Sequence, residues 1–326
     1  MLLNISDIIR ILKIVICVVI KKKGEVTFIC NRSRMEYSEL INKLEQKRKV
    51  VVKRICFSIG FVALGLAIGW LINRDFGYAV GGIVGFIVAI VLISEGFDKY
   101  KKVFKNQFMP LVVNKTGLDL KYVHKQGIPK EMVISSRLFK KPDRYIKEDL
   151  MYGTLDGVNF MSSDVHMQDK RVTRDSKGRR RVRYDTFFRG RWFVYEFNKS
   201  FNGIIQVREE FFKSHPWGLK VEKIKLEDVE FNRKFNTYAT NQHDAFYVLT
   251  PTLMENIKKL ERKFPGSIYF SFIENQLHIA IYHSKDSFEP PVFSKLDESL
   301  INELVSDIVV LQEIVNELKL NRKIFK

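Results

Sequence analysis

Two apolar runs separated by three residues constrain this chain more than any other feature. Residues 55–72 carry no formal charge, and neither do residues 76–94, except that each run is bounded by charge. Each comes close to the ~20 residues needed to cross a hydrocarbon core. Only Asn73, Arg74 and Asp75 lie between them, which leaves room for a turn and nothing else. In lipid, backbone polar groups must be bonded within the protein, so the pair is expected to form an antiparallel transmembrane helical hairpin. Trp70 and Tyr78 flank the turn, where amphipathic rings favour the membrane interface.

The flanking charges give an expected orientation. Lys43, Lys47, Arg48, Lys49, Lys53 and Arg54 precede the first run, and Lys99, Lys101, Lys102 and Lys105 follow the second, against Arg74 alone in the turn. By the positive-inside rule this describes a multi-pass protein of the cell membrane with both termini cytoplasmic. Gly65 and Gly69 make one small-xxx-small step, and Gly77, Gly81, Gly85 and Ala89 repeat the spacing along the second helix. Small residues let backbones approach, so these glycines are expected to form the packing seam of the hairpin. Neither run carries an ionisable side chain in its interior, which argues against a proton relay or ion pathway.

Residues 1–34 are harder to place. Their apolar stretch is broken by Asp7, Arg10 and Lys13 and followed by Lys21, Lys22 and Lys23, the pattern of neither a full span nor a secretory signal. An interfacial amphipathic helix fits, and so does a chain that begins at Met35. Residues 35–54 then read as a basic juxtamembrane helix leading into the hairpin at 55–94.

The rest, residues 98–326, is expected to be a cytoplasmic α+β domain with a mainly antiparallel sheet and a long C-terminal helix. Runs 158–161, 182–188, 192–197, 204–207 and 219–226 are rich in aromatic and β-branched residues, as strands are. Asp175-Ser176-Lys177-Gly178 supplies turn chemistry for a hairpin. Thr250-Pro251 reads as an N-cap with proline at the first helical position, and Leu253, Ile257, Leu260 and Phe264 mark one face of that helix. Runs 267–273 and 277–283 read as a strand pair turning at Glu274-Asn275-Gln276. A helix over 296–320 closes the chain. Its Ile301, Leu304, Ile308, Leu311, Val315 and Leu318 occupy heptad a and d positions, the spacing of a two-stranded coil. Leu300, Val305, Val309, Val310 and Ile314 widen that stripe, as a helix packed on a sheet requires.

The stretch Phe187-Phe188-Arg189-Gly190-Arg191-Trp192-Phe193, the segment 235–251 with Asp244-Ala245 and Leu249-Thr250-Pro251, and Leu277-His278-Ile279-Ala280-Ile281 carry a resemblance. Together with the apolar hairpin they resemble an uncharacterised bacterial membrane family, domain of unknown function 3137, over about residues 40–320. The resemblance implies a membrane topology and a bacterial origin. It brings no catalytic residues, because its motifs are hydrophobic and structural.

Candidate chemistry is sparse. The three cysteines, Cys17, Cys30 and Cys56, all precede or enter the first span, so the domain has no thiol for a disulfide framework or a cysteine zinc site. The six histidines are scattered; His278 and His283 fall on opposite strand faces, and His243-Asp244 suits helix capping better than proton transfer. Gly81-Gly82-x-x-Gly85 lies inside a membrane helix, where packing explains it better than a dinucleotide loop. No catalytic residue, metal ligand or cofactor is assigned. The unusual feature is an arm over residues 170–191 with ten basic side chains against Asp175 and Asp185. Within it Arg179, Arg180, Arg181 and Arg183 are expected to contact anionic lipid or phosphate, with Arg179, Arg181 and Arg183 sharing a face. The bland account is an exposed hairpin whose charge blocks edge pairing.

A net charge of +18 favours anionic partners, and beside a membrane anchor lipid ranks first and nucleic acid last. The expected function is therefore a membrane-anchored interaction module contacting anionic lipid and a protein partner, with a homodimer through the C-terminal helix as a further option. The alternative is a membrane-surface enzyme, hydrolase-like, with an unrecognised site.

Overall fold

The computed structural model describes residues 26–72, 76–174, 176, 178–209, 220–264, 266–283, 288–318 and 320. The chain divides into two compact units, residues 1–104 with 291–296, and residues 105–290 with 297–326.

In the first unit, helices α1 (Val26–Ile72) and α2 (Gly77–Val103) pack along each other. Both are long and apolar enough to cross a membrane. Met35 lies inside α1, so the helix starts before that methionine; residues 1–25 and the turn at 73–75 lie outside the described residues. Glycines set the approach: a Cβ at Gly65, Gly69 or Gly81 would collide with the carbonyl oxygen of Gly81, Gly77 or Gly65 respectively. One at Gly85 would come 2.8 Å from the Phe61 carbonyl. Past the apolar runs, polar side chains take over: Arg54 Nη1 donates to the Leu92 carbonyl (2.9 Å) and to Glu95 (3.1 Å). The segment 291–296 straps the same unit, since Arg48 donates to the Val292 carbonyl and the Tyr100 hydroxyl to that of Pro291, both at 2.8 Å.

The second unit begins with a π-helical turn, completed at Phe108, and α3 (Met109–Lys115). There follow β1 (Asp119–Val123), α4 (Lys130–Ser135), β2 (Arg144–Leu155), β3 (Val158–Arg174) and β4 (Arg180–Glu209). Then come β5 (Glu222–Ile224), α5 (Val229–Lys234), β6 (Phe235–Ala239), α6 (Gln242–Val248), α7 (Pro251–Lys263), β7 (Ile268–Tyr282) and α8 (Glu298–Leu318). Among the described residues, seven strands form one antiparallel sheet in the order β1-β2-β3-β4-β6-β5, with β7 on β4. The unit is α+β, as expected, and the C-terminal helix is present.

β4 organises the sheet. Residues 182–188, 192–197 and 204–207, expected as separate strands, lie on one strand of 30 residues. Its first half pairs with β3 and its last residues with β6, while β7 bonds to it from Gly190 to Arg208. The β7 ladder resumes beyond the irregularity between Glu196 and Ile204, so both halves of β4 pair with one strand. The same ladder overturns the expected hairpin at Glu274-Asn275-Gln276. β7 is a single strand; Glu274 takes a positive φ of 52°, opposite an irregularity in β4 between Glu196 and Ile204. The chain bends there without reversing, because both flanking halves find their partners on β4.

Both faces of β7 are buried, which is why its sequence reads as nearly continuous apolar runs. On one face Trp192, Val194, Phe188, Tyr269 and Ala280 pack with Val133 of α4 and Leu138. Phe139 closes this core with its ring 4.9–6.0 Å from those of Phe188, Tyr269 and Trp192. The loop after α4 is pinned there: the Ser136 carbonyl accepts from Gln206 Nε2 (3.1 Å) and Ser271 Oγ (2.7 Å), and the Leu138 carbonyl from Arg208. Burial lowers the Arg208 pKa to about 10, which leaves it charged at neutral pH. On the opposite face Ile301, Leu304, Ile308, Leu311, Val315 and Leu318 of α8 are all buried, and the Tyr195 hydroxyl donates to the Leu311 carbonyl at 3.3 Å. The heptad seam is thus covered by the chain's own sheet. The cap read from sequence at Thr250 is present, accepting from Leu253 N (3.3 Å); Asp297 likewise accepts from Leu300 N (3.1 Å), and it is Asn241, rather than His243 or Asp244, that caps α6 by accepting from His243 N (3.0 Å).

Candidate functional site

The basic arm is an extension of the β3–β4 hairpin. β2 gives out at the pair Arg144↔Gln168, and β3 and β4 continue alone to Arg174↔Arg180. At an advance of about 3.4 Å per residue, this two-stranded ribbon reaches some 20 Å beyond the sheet edge. Residues 170–174 and 179–184 are exposed. Gly178, with φ of 74°, supplies the left-handed residue of the turn; Asp175 and Lys177 lie outside the described residues. Arg171 stands opposite Arg183 and Arg174 opposite Arg180, although like charges directly across a ladder destabilise it. Asp185 bridges the first of these pairs, accepting from Arg171 and Arg183 at 2.5 Å each.

The alternation corrects two expectations. Arg179 precedes the strand, so only Arg181 and Arg183 share the face assigned to the three, while Arg180 points the other way. Arg191 does not belong to the arm. It is 7% exposed within the sheet, donating to Asp164 (3.0 Å) and to Ser162 Oγ (2.8 Å).

Arg191 belongs instead to a buried polar cluster that sequence reading missed. At its centre is Asp149, fully buried with φ of 59°, at an irregularity of β2 between Glu148 and Met151. There the ladder lapses, and the Asp149 and Leu150 N–H groups donate to the carbonyls of His124 (2.8 Å) and Gln126 (3.0 Å). The Asp149 carboxylate accepts from Lys105 Nζ (2.6 Å) and the Tyr122 hydroxyl (2.6 Å), and lies 2.9 Å from His124 Nδ1. Lys105, itself fully buried in the π-helical turn, also pairs with Glu289 at 2.8 Å and Glu148 at 3.5 Å. Burial works against its charge, but Asp149 and Glu289 outweigh it and hold the ammonium above the ordinary lysine range. Tyr122 is pushed up by burial and by Asp149. The only sequence signal was a charged residue at an inward strand position, which is weak without knowing the register.

His124, Glu148 and Asp149 could together offer three ligand atoms to a metal ion. The Lys105 ammonium, bonded to both carboxylates, already sits where such a cation would go. The residues present therefore fit an internal lysine better than a metal.

Beside Arg191 a groove of about 620 Å³ opens between α8 and the sheet, lined chiefly by Phe193, Phe264, Ile281, Phe288, Leu304 and Leu311. Its volume is in the range of small-molecule sites. Phe288 stacks on the Arg191 guanidinium at 4.7 Å.

On the other sheet face His278 is fully buried and takes the Trp192 indole N–H at 3.3 Å. Burial lowers its pKa from 6.5 to about 4. The imidazolium is thus disfavoured in the fold but not in the unfolded chain. Stability is complete above the unfolded value of 6.5, falls as pH drops through it, and levels off below about 4. In urea unfolding of the detergent-solubilised protein, wild type is expected to lose about 3 kcal/mol over this window beyond any loss shared by His278→Gln. Parallel pH profiles of the two proteins would assign the acid sensitivity to other groups.

Residues 186–320 match a family model described as "Protein of unknown function (DUF3137)", the family that the motifs around Trp192, Pro251 and Ile279 resemble. A crystal structure of the mycobacterial trehalose monomycolate transport factor A, TtfA, is similar at 10% identity and a TM-score of 0.36, over 64% of this chain and 93% of that one. No curated protein matches.

Proposed function

We propose that the protein is a membrane-anchored interaction module, with both termini and the second unit in the cytoplasm, that contacts anionic lipid through its basic arm. The observation that carries this reading is the exposed, strongly basic ribbon beyond Gln168, where Arg174 stands opposite Arg180 at a cost to the ladder. A surface of phosphates relieves that repulsion. The anchor strengthens the effect, because tethering converts lipid binding into an intramolecular event with an effective concentration in the millimolar range. Orientation rests on the basic flanks, Lys43 to Arg54 and Lys99 to Lys105, against Arg74 in the turn.

The full chain, held in nanodiscs of phosphatidylcholine, is expected to float with vesicles containing phosphatidylglycerol and to stay behind from vesicles lacking it. Changing Arg179, Arg180, Arg181 and Arg183 to serine should weaken that binding by about 1 kcal/mol for each charge that reaches the surface. Unchanged flotation would leave the arm as a device against edge pairing. An enzyme acting at the membrane surface is the second reading, and the groove favours it. Of the charged groups that line the groove, Arg191 is engaged with Asp164 and Glu289 with Lys105, while Glu303 and Asp307 of α8 also line it and burial raises the Asp307 pKa.

A further inference from the structure

Strand alternation gives the ribbon two unlike faces, and only one suits a bilayer. The first carries Lys170, Val172, Arg174, Arg180, Val182 and Tyr184, since Val172 stands opposite Val182 and Lys170 opposite Tyr184. Val172 and Val182 are each 47% exposed and Tyr184 41%, which makes an open apolar strip down the middle of a strand pair with cations at its margins. Arg144 of β2 lies over the Tyr184 ring at 5.4 Å and extends the cationic margin. The second face carries Arg171, Thr173, Arg181 and Arg183, together with Asp169 opposite Asp185. Both carboxylates described in the ribbon are therefore on the second face, where Asp185 holds Arg171 and Arg183, and Asp169 pairs with Lys140.

Resting on the lipid reading above, we infer that the ribbon meets the membrane by its first face, seating Val172, Val182 and Tyr184 among the lipid headgroups and acyl boundary while Lys170, Arg174 and Arg180 engage the phosphates. The second face is internally compensated and turns to water. An apolar centre framed by basic side chains is the arrangement by which interfacial segments combine buried apolar area with attraction to anionic lipid. A soluble polyanion would engage cations of either face and has no use for the valines. The fit is therefore to a bilayer surface.

Full-length protein with Cys17, Cys30 and Cys56 changed to serine is given one cysteine, Val182→Cys or Arg183→Cys, and labelled with bimane. It is reconstituted in vesicles of phosphatidylcholine alone or mixed in equal parts with phosphatidylglycerol, each carrying a nitroxide on the acyl chain. The label at 182 is expected to be quenched in the mixed vesicles, and the label at 183 to stay at its phosphatidylcholine level. In the flotation experiment, Val172→Ser/Val182→Ser should bind about tenfold more weakly than wild type at unchanged charge. Arg174→Ser/Arg180→Ser should weaken binding more than Arg181→Ser/Arg183→Ser. Equal quenching at the two positions, wild-type binding by the valine variant, or equal loss from the two arginine pairs would overturn the face assignment. Failure of the fourfold arginine variant to weaken binding would overturn the lipid reading itself, so the two failures are distinguishable.

Discussion

Replacing Ile308 by aspartate is expected to unfold the second unit of the isolated monomer. Ile308 is fully buried on α8, on the stripe that covers the sheet. The substitution removes a branched aliphatic side chain, worth about 2–5 kcal/mol as a simple truncation, and adds a carboxylate with no partner in an apolar contact. The sum exceeds about 5 kcal/mol, a large part of what holds a typical domain together. Urea unfolding in detergent, followed by near-ultraviolet circular dichroism of Trp192 and its neighbours, measures it. The same variant decides between the two readings of the heptads. A helix that zips two chains together would yield a folded monomer on ultracentrifugation, whereas a helix buried in its own unit yields an unfolded one.

The second large effect is expected at Lys105. Its ammonium pairs with the buried Asp149 and with the partly exposed Glu289 and Glu148, so Lys105→Met leaves the buried Asp149 carboxylate without its counter-ion. Breaking a buried pair from one side costs about 3–5 kcal/mol, because the remaining charge cannot regain its hydration. Asp149→Asn alone should cost a similar amount, and the double variant Lys105→Met/Asp149→Asn less than the sum of the two. That non-additivity is the signature of direct coupling. Additive losses in urea unfolding would mean that the two residues act separately, Asp149 chiefly through the Tyr122 hydroxyl and the strained backbone at its own position.

Neither residue could be singled out from the sequence, and the reason is distance along the chain. Lys105 and Asp149 are 44 residues apart, on a π-helical turn and a strand irregularity, two deformations that local preference does not signal. By sequence Lys105 is one of the charges flanking the hairpin, and composition carries no sign of its burial. Arg191 likewise falls in the basic run 170–191 by sequence, whereas the register places it opposite Asp164. Charge patterning sees neighbours in sequence; it does not see which side of a strand a neighbour occupies.

What the sequence determined by itself is whatever depends on a few adjacent residues. The two apolar helices follow from uncharged length, their close approach from glycines four apart, and the start of α7 from the cap Thr250. The α+β class follows from the succession of apolar periods. Tertiary structure decided the rest. Whether Glu274-Asn275-Gln276 turns the chain back or lets it run on depended on β4 being long enough to pair with both halves of β7. Whether the α8 heptads face a second chain or the sheet depended on an apolar surface supplied by residues more than a hundred positions away, such as Tyr195 beneath Leu311. A local segment with two nearly equal outcomes is settled by the partner that buries more of it, and that partner is chosen only when the whole chain has folded.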